Sequence, residues 1–460
     1  MVRVVELLAL ATLSFTLVNG IELDVNSVGK ASSLQLVSRL TSPDSIKSAA
    51  SSLASQLVGY YTANSTGREN GTLPSPYYWW EAGALFDTLI QYSHLTGDTQ
   101  YNSLVSTGLL SQVGENSDFM PMNQSATEGN DDQATWALAA MSAAEAQFTN
   151  STQWLALADT VFNILVQRWD SATCSGGLRW QIYSFARGFD YKNSASNGHF
   201  FQLASRLARY TGNTTYSTWA NMAYEWTKST GFIDSKFNVY DGAPIVLRNC
   251  TDVVKLQFSY VAGTYITGVA HMYNITDGNA KWKTELDGLL NRTLNVFFSD
   301  GTVRAATEVA CEKIDTCTVD MMVMKGLLGH WLADAVQMAP YTANTVLPLL
   351  TSSAQAAAKA CDETGCSFFW DGKHTGIDGN GAGAVGPSID ALSFVQGLLW
   401  QESGLTGLPA TVNGTAVAAN SNSTASGAVA SSTKKSDGVA MRAGTALLVS
   451  VLGSMMWLVL

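Results

Sequence analysis

The chain has 460 residues, more than a typical single domain needs, so two domains or a ring of repeats are the natural arrangements. Acidic residues outnumber Lys and Arg by 37 to 26, which gives a net charge of −11. This balance argues against nucleic acid as a partner, because a phosphate backbone needs a basic face to replace its counterions.

The N-terminal stretch, residues 1–20, has the pattern of a secretory signal peptide. Arg3 precedes the apolar run Leu7–Val18, and a small-residue cleavage site ends at Gly20. The apolar run is too short to span a bilayer. We therefore expect residues 1–20 to be removed during secretion.

Ten glycosylation sequons and six cysteines also indicate a secreted protein. Six cysteines allow fifteen pairings. Their spacing favours short loops closed by Cys311–Cys317 and Cys361–Cys366, which would leave Cys174 with Cys250. The sequence has no Cys-x-x-Cys pair and its five histidines form no metal motif, so we expect no metal.

A turn of similar composition recurs along the chain. Gly97–Tyr101 matches Asn150–Trp154 position by position, and Gly212–Tyr216 and Gly278–Trp282 fit the same frame. Its final aromatic residue returns after 53, 62 and 66 residues, which leaves room for a helix, a loop and a second helix. In each turn, Gly or Asn ends one predicted helix and a polar residue caps the next.

Two kinds of helix alternate around these turns. The first kind is rich in small and aromatic residues and is predicted to be buried on all sides: Tyr77–His94, Asp131–Phe148, Ser194–Tyr210, Gln257–Tyr273, Val319–Ala335 and Ile389–Glu402. The second kind is amphipathic and is predicted to be half exposed: Ser45–Tyr61, Gln100–Leu110, Gln153–Trp169, Thr215–Thr230, Lys281–Phe298 and Tyr341–Lys359.

Six pairs of an outer and an inner helix close most simply into a double ring. The predicted fold is therefore all-α, an (α/α)6 barrel over residues 21–408. An open solenoid is the alternative, but it would need polar capping repeats at both ends, and the sequence has none. Residues 409–436 are rich in Ser, Thr and Asn without aromatics, which predicts a flexible, glycosylated stalk.

Residues 437–460 end in the uncharged apolar tail Ala443–Leu460. Small residues, a polar spacer and a terminal apolar tail form the pattern of a glycosylphosphatidylinositol (GPI) attachment signal. A C-terminal membrane helix is the alternative, but no basic segment follows the tail to hold it in place. We therefore expect residues 437–460 to be exchanged for a GPI anchor that holds the protein at the outer face of the plasma membrane or the cell wall.

The inner helices are predicted to begin at one end of the ring. Counting back 16 to 18 residues from each turn places Glu81, Asp132, Ser196 and Tyr260 at one level. The loops before these positions are rich in aromatic and amide side chains. Aromatic walls suit a sugar chain, whose faces stack on indole and phenol rings, although core packing is the alternative for any single ring.

Two neighbouring carboxylates, Asp131 and Asp132, stand at the predicted start of an inner helix. Such residues often cap a helix, and that alternative stays open. Glycoside hydrolysis needs one carboxyl group to protonate the leaving oxygen and a second to attack or to activate water. Two close anions also push one pKa upward, which supplies an acid that is still protonated near neutral pH. The pair is therefore a candidate catalytic site.

Four motifs resemble glycoside hydrolase family 76, the family of endo-α-1,6-mannanases: Tyr78–Gly83, Asn130–Gln133, Gly177–Trp180 and Tyr191–Asn197. The resemblance covers Ile21–Leu408, and the two processing signals make the chain similar to the fungal GPI-anchored cell-wall branch. It implies an (α/α)6 fold, retention of configuration and neither metal nor cofactor. It also implies that Asp131 is the nucleophile and Asp132 the acid/base.

The resemblance further implies a set of substrate contacts. They are Trp79, Trp80, Glu81, Asn130, Arg179, Trp180, Lys192, Asn193, Asn197, Asp241 and Tyr260. Asp241 either binds a sugar hydroxyl or holds a turn. Two departures from the family pattern, Val261-Ala262 where two amides are common and His330 where Arg is common, indicate a change in substrate fit.

The fungal branch implies a transglycosidase that cleaves the mannose core of a GPI glycan and passes it to cell-wall glucan. The expected partners are an α-1,6-linked mannose glycan as donor, glucan as acceptor and the membrane through the anchor, with the protein a monomer. A plain hydrolytic mannanase and a non-catalytic mannan-binding or wall-organising protein are alternatives. An isoprenoid-processing α-barrel is disfavoured, because it would need an Asp-rich metal site or zinc ligands.

Overall fold

The computed structural model describes residues 40, 42–63, 65–298, 304–374, 376 and 384–400. The predicted signal peptide, stalk and GPI-attachment signal lie outside the described residues. Among the described helices, none combines the length and the apolar character needed to cross a membrane.

Twelve α-helices dominate the described part of the chain. The outer helices are α1 (Pro43–Thr62), α3 (Asn102–Ser111), α5 (Ser151–Gln167), α7 (Thr214–Ser229), α9 (Ala280–Phe297) and α11 (Ala343–Lys359). The inner helices are α2 (Trp79–Thr96), α4 (Asn130–Glu145), α6 (Ser194–Thr211), α8 (Ser259–Ile275), α10 (Met324–Met338) and α12 (Val385–Gly397).

The inner helices form a closed ring. Each packs against the next in the order α2, α4, α6, α8, α10, α12, and α12 packs back against α2. The outer helices pack against them, with α1 resting on α12. The predicted (α/α)6 barrel is therefore confirmed, and the open solenoid is wrong.

Composition explains which helices are inside. In α4, every residue from Gln133 to Glu145 is buried, as the run of small apolar residues predicted. Glycine allows close approach at two inner contacts. An added Cβ at Gly83 would lie 3.2 Å from the Trp136 ring, and one at Gly329 would lie 2.6 Å from the Phe394 ring.

Several local features differ from the sequence prediction. A two-stranded antiparallel sheet joins β1 (Tyr191–Asn193) to β2 (Gly242–Pro244), with Lys192 opposite Ala243. A 3₁₀ turn, Asp320–Val323, precedes α10 where a continuous helix was predicted. These short elements have too few residues to give a periodic signal in the sequence. They lie in the loops that lead into the inner helices.

The three disulfides favoured by the spacing are confirmed. They join Cys311 to Cys317, Cys361 to Cys366 and Cys174 to Cys250. The last one links segments 76 residues apart and belongs to a small apolar cluster with Trp226. It therefore fixes the loop before β1 against the loop after β2.

Candidate active site

The carboxylates of Asp131 and Asp132 lie in the first turn of α4. Asp132 Oδ2 accepts a hydrogen bond of 2.7 Å from the Gly129 backbone N–H, and Asp131 Oδ1 accepts one of 3.2 Å from the Asp132 N–H. Both contacts satisfy N–H groups that a helix start leaves without partners. Both side chains are nevertheless partly exposed and line a cavity. The capping role and an active-site role are therefore compatible.

The loop that carries Trp180 is held against the start of α4. Asn130 donates from its backbone N–H to the Trp180 carbonyl at 2.8 Å and from Nδ2 to the Arg179 carbonyl at 2.9 Å. Gly129 and Gln181 form an isolated antiparallel bridge beside these contacts. The docked loop brings the Trp180 indole, 38% exposed, to the edge of the cavity.

Asn193 orients Asp131 from the neighbouring inner helix. It caps α6 by accepting a hydrogen bond from the Ser196 N–H at 3.1 Å. Its Nδ2 donates to Asp131 Oδ2 at 3.0 Å. One amide side chain thus fixes a helix start and a carboxylate together.

The two carboxylates are close to each other. An added Cβ on Gly129 would overlap Asp131 Oδ1 and lie 3.3 Å from Asp132 Oδ2, so these oxygens are less than about 6 Å apart. Retaining glycosidases hold their carboxyl groups about 5 to 5.5 Å apart, whereas inverting enzymes need about 6.5 to 9.5 Å. The separation is therefore below that of an inverting pair.

The cavity has a volume of about 590 Å³ and largely aromatic walls. The Trp79 ring stacks on Trp136 at 4.8 Å, and the Trp80 ring stacks on Tyr260 at 6.4 Å. The lining residues are Tyr77, Tyr78, Trp79, Trp80, Gln124, Thr127, Glu128, Asp131, Asp132, Thr135, Trp180, Gln181, His199, Tyr260, Asp320 and Met324. Stacked rings held in place can bind pyranose faces with little loss of side-chain freedom.

The charged groups in the lining are acidic. The described residues that line the cavity include Glu128, Asp320 and the Asp pair but no Lys or Arg. Burial raises the pKa of Asp131 well above its ordinary value, and repulsion from Asp132 raises it further. Burial also raises the pKa of Asp132. The pair therefore holds one proton near neutral pH, which is what an acid and a nucleophile require.

Two further acids border this region. Burial raises the pKa of Glu128 to about 9, with added repulsion from Asp132. Burial raises the pKa of Glu81 to about 8, although its carboxylate accepts a 2.6 Å hydrogen bond from the Tyr78 N–H. Glu81 does not line the cavity. Its side chain instead caps α2 beneath the aromatic segment.

Lys192 was predicted to bind substrate, and the structure contradicts this. Its side chain is fully buried, and Nζ donates to the backbone carbonyls of Asp170, Thr173 and Gly176 at 2.6 to 2.9 Å. Nζ also lies 3.4 Å from the Asp170 carboxylate. With these contacts made, the ammonium group holds the loop before β1 and does not reach the cavity.

Arg179 and Asn197 are likewise structural. The Arg179 guanidinium pairs with Asp170 at 2.8 Å and covers the Phe189 ring at 4.4 Å. Asn197 accepts from the Leu178 N–H and donates to the Leu178 carbonyl. Neither residue lines the cavity. Both hold the loop that presents Trp180. The fully buried Asn197 cannot contact substrate, whereas contact by Arg179, whose side chain is 21% exposed, stays a prediction.

Asn130 and Asp241 also lie behind the lining. Asn130 Oδ1 accepts a 2.9 Å hydrogen bond from Arg168, so both ends of its amide are occupied. Asp241 accepts a 2.7 Å hydrogen bond from the Tyr191 hydroxyl and does not line the cavity. The Tyr191 contact favours the turn-holding alternative for Asp241.

Glu128 and His199 line the cavity and were missed by the sequence prediction. Both carboxyl oxygens of Glu128 and Nε2 of His199 are buried, and they have no hydrogen-bond partner in the described part of the chain. Glu128 stands in the motif region, four residues before Asp132, so its position was available as a signal. His199 lies within a helix buried on all sides, where sequence does not indicate which face meets a cavity.

Comparison with known proteins decides the family. The family model described as Glycosyl hydrolase family 76 matches residues 45–410. The chain belongs to glycosyl hydrolase family 76. This confirms the resemblance inferred from the four motifs, and the protein is an enzyme of the glycoside hydrolase class.

Relatives within glycosyl hydrolase family 76 agree in sequence and fold. Mannan endo-1,6-alpha-mannosidase DCW1 of Saccharomyces cerevisiae is 42% identical, and the match covers 72% of this chain and 76% of that protein. The crystal structure of Dfg5 from Chaetomium thermophilum in complex with glucosamine has a TM-score of 0.74 at 39% identity, covering 79% of this chain and 92% of that one.

A more distant member shares only the fold. It is an inactive variant of the α-1,6-mannanase of Salegentibacter sp. HEL1_6, in complex with α-1,6-mannotriose. Its TM-score is 0.61 at 17% identity, and the match covers 77% of this chain and 99% of that one. The barrel of family 76 is thus retained where most of the sequence has changed.

Proposed function

We propose that the protein is a retaining α-1,6-mannan-acting glycosidase that works as a transglycosidase in cell-wall assembly. The observation that carries the proposal is the close, proton-sharing pair of Asp131 and Asp132 in an aromatic cavity. The name of the relative DCW1, a mannan endo-1,6-alpha-mannosidase, supports the linkage. The complex of the distant fold neighbour with α-1,6-mannotriose supports the same class of ligand.

In the first step, Asp131 attacks the anomeric carbon and the glycosidic C–O bond breaks. Asp132 gives its proton to the departing oxygen, so the leaving sugar is released as an alcohol and a mannosyl ester forms on Asp131. Burial favours the proton on Asp131 in the free site. Positive charge developing at the anomeric carbon favours the carboxylate form of Asp131, so we expect the shared proton to reside on Asp132 as the bond breaks.

In the second step, Asp132 takes a proton from an incoming hydroxyl group whose oxygen attacks the anomeric carbon. The ester bond to Asp131 breaks, and both carboxyl groups return to their starting state. Water as the incoming group gives hydrolysis, and a glucan hydroxyl gives transfer. We propose transfer, because an enzyme tethered where the wall is assembled gains little from hydrolysis alone.

The proposed donor is the mannose core of a GPI glycan. In such glycans the mannose core is linked to a glucosamine, whose ammonium group complements the acidic lining of the cavity. The glucosamine complex of the relative Dfg5 supports a donor of this kind. The proposed location, anchored by GPI at the outer face of the plasma membrane, rests on the sequence signals at the two termini.

Product masses test the proposal. The full chain is incubated with α-1,6-mannotetraose, or with a GPI-glycan fragment, in the presence and absence of a β-1,3-glucan oligomer. We expect a mannosylated glucan when both are present. Shorter mannosides alone would instead support the plain hydrolytic enzyme, and unchanged substrate with measurable binding would support the non-catalytic mannan-binding protein.

The two carboxylates are assigned by azide rescue on an aryl α-mannoside. Asp131→Ala with azide should give a β-mannosyl azide, because azide replaces the lost nucleophile in a single inverting displacement. Asp132→Ala should give an α-mannosyl azide, because the ester on Asp131 still forms. The opposite pair of products would reverse the assigned roles. Thermal melting of both variants serves as the folding control.

A further inference from the structure

His199 lines the cavity and carries a buried hydrogen-bond acceptor that no group in the described part of the chain satisfies. Its Nδ1 lies 2.7 Å from the Ala195 carbonyl oxygen in the same helix. A carbonyl can only accept, so Nδ1 carries the proton and Nε2 carries a lone pair. Nε2 is buried and without a partner in the described part of the chain, although the residue lines the cavity.

The ring is held in one orientation. It packs against Tyr260 and Trp331, with centroid separations of 5.9 and 5.7 Å, and the Ala195 contact fixes its rotation. Burial lowers the His199 pKa to about 4, so the imidazole is neutral near pH 7. The group is therefore a preorganised acceptor with no charge.

His199 lies deeper in the barrel than the catalytic pair. It follows Asn193, the cap of α6 that contacts Asp131, by six residues, which is about 9 Å along the helix axis. Tyr260 borders the same cavity as both residues, and its ring packs 5.9 Å from the His199 ring. A pyranose held at Asp131 therefore occupies a cavity whose wall includes His199.

We propose that His199 Nε2 accepts a hydrogen bond from one hydroxyl group of the mannosyl unit held at Asp131, and that it determines which sugar this position takes. The inference rests on the proposed function and deepens it. A neutral acceptor is the suitable choice beside an oxocarbenium-like transition state, because a cation there would oppose the developing positive charge.

The energetic argument follows from the missing partner. A buried acceptor left unpaired is costly, and a sugar hydroxyl removes that cost, whereas a deoxy sugar leaves it in place. We expect one monodeoxy donor to lose about 10- to 100-fold in kcat/KM relative to the parent.

The test compares the full chain with its His199→Phe, His199→Gln and Phe200→Leu variants. Phe keeps the ring but has no acceptor, while Gln keeps an acceptor near the position of Nε2. Phe200 is the matched packing control, since it is fully buried beside His199 but contacts Trp169 and Trp219 and does not line the cavity. The donors are an α-1,6-mannobioside and its 2-, 3- and 4-deoxy analogues in the mannosyl unit that is transferred.

In the wild type and in Phe200→Leu, we expect one analogue to be cleaved about 10- to 100-fold more slowly than the parent. In His199→Phe, kcat/KM for the parent mannobioside should fall by a similar factor, and the additional loss caused by that deoxy analogue should be less than about threefold. In His199→Gln, both values should lie between those of the wild type and His199→Phe. The inference would be overturned if His199→Phe discriminated against the deoxy analogue as strongly as the wild type does. It would also be overturned if His199→Phe cleaved the parent mannobioside with the kcat/KM of the wild type. A wild type that cleaves no donor would overturn the proposed function instead, and the inference with it.

Discussion

Asn193 and Asp131 are joined by a 3.0 Å hydrogen bond between residues 62 positions apart. The same Asn193 side chain accepts from the Ser196 N–H and so begins α6. The orientation of the proposed nucleophile therefore depends on the start of the neighbouring inner helix. Stability and activity at this position can be separated, because the two contacts use different atoms of one amide.

The variant Asn193→Ser separates the effect of Asn193 on stability from its effect on activity. Serine is a good helix cap, but its side chain is too short to reach Asp131 and has no amide donor. We expect the melting temperature to stay close to that of the wild type while kcat/KM on an α-1,6-mannoside falls about 10- to 100-fold. Asn193→Ala, which loses both contacts, should lose the same activity and about 1 kcal/mol of stability. Full activity in Asn193→Ser would contradict the orienting role.

Gly129→Ala should disturb the catalytic pair without disturbing the fold. Gly129 has a φ of −90°, which alanine adopts freely, but its Cβ would overlap Asp131 Oδ1. We expect kcat to fall at least about 10-fold, because a small misplacement of a reacting group is costly. Gly59→Ala is the control: no atom lies within 4 Å of its added Cβ on α1, so a gain of about 0.5 to 1 kcal/mol in stability and unchanged activity are expected.

The pH dependence of kcat/KM should report the shared proton. With both carboxyls protonated there is no nucleophile, and with both ionised there is no acid. Because burial and mutual repulsion raise both pKa values, the acid limb should lie well above the ordinary aspartate pKa of about 3.9. A pH–rate profile already at its maximum below pH 4 would contradict the raised pKa values of the pair.

Glu128→Gln should stabilise the protein at high pH. The pKa of Glu128 is about 9 when folded and near 4.5 when unfolded, so the folded state holds more protons between these values. Stability from this group is complete below about pH 4.5 and is lost as pH rises toward 9. Gln is always neutral and avoids that loss. We expect its melting temperature to exceed that of the wild type by at least about 2 °C at pH 8 but not at pH 4.

Lys192→Met should affect stability and not substrate affinity. Removing the ammonium group leaves three backbone carbonyls without their donor, at a cost of about 1 to 3 kcal/mol for each buried carbonyl, while Asp170 keeps its pairing with Arg179. We expect a clear fall in melting temperature. At temperatures where the variant is folded, its KM for α-1,6-mannotetraose should be within about twofold of the wild-type value. A stable variant with a greatly raised KM would restore Lys192 to the substrate-binding residues.

The helical ring was predictable because its signals are local and repeated. Turns such as Gly97–Tyr101 recur with similar composition, and the buried helices differ from the amphipathic ones in charge and residue size. Glu81, Asp132 and Ser196 were predicted to share one level, and each is the third residue of its inner helix. Repetition thus fixed the architecture and the end at which the carboxylates gather.

The functions of individual polar residues were less predictable. Lys192 and Arg179 stand in the same motifs as Trp180, yet their partners are carbonyl and carboxylate oxygens brought by β1 and its preceding loop. Burial decides whether a polar group meets sugar or protein, and it depends on loop packing that no periodic pattern encodes. For the same reason the orientation of His199 into the cavity had no signal in the sequence.

The contact between α12 and α2 makes the first and last inner helices neighbours. A nascent chain therefore emerges with the apolar flanks of α2 and α10 uncovered until residue 397 has been translated. Truncation before that point would leave those flanks as exposed surfaces that chaperones recognise. Closure of the ring therefore makes burial of the first inner helix depend on the last one.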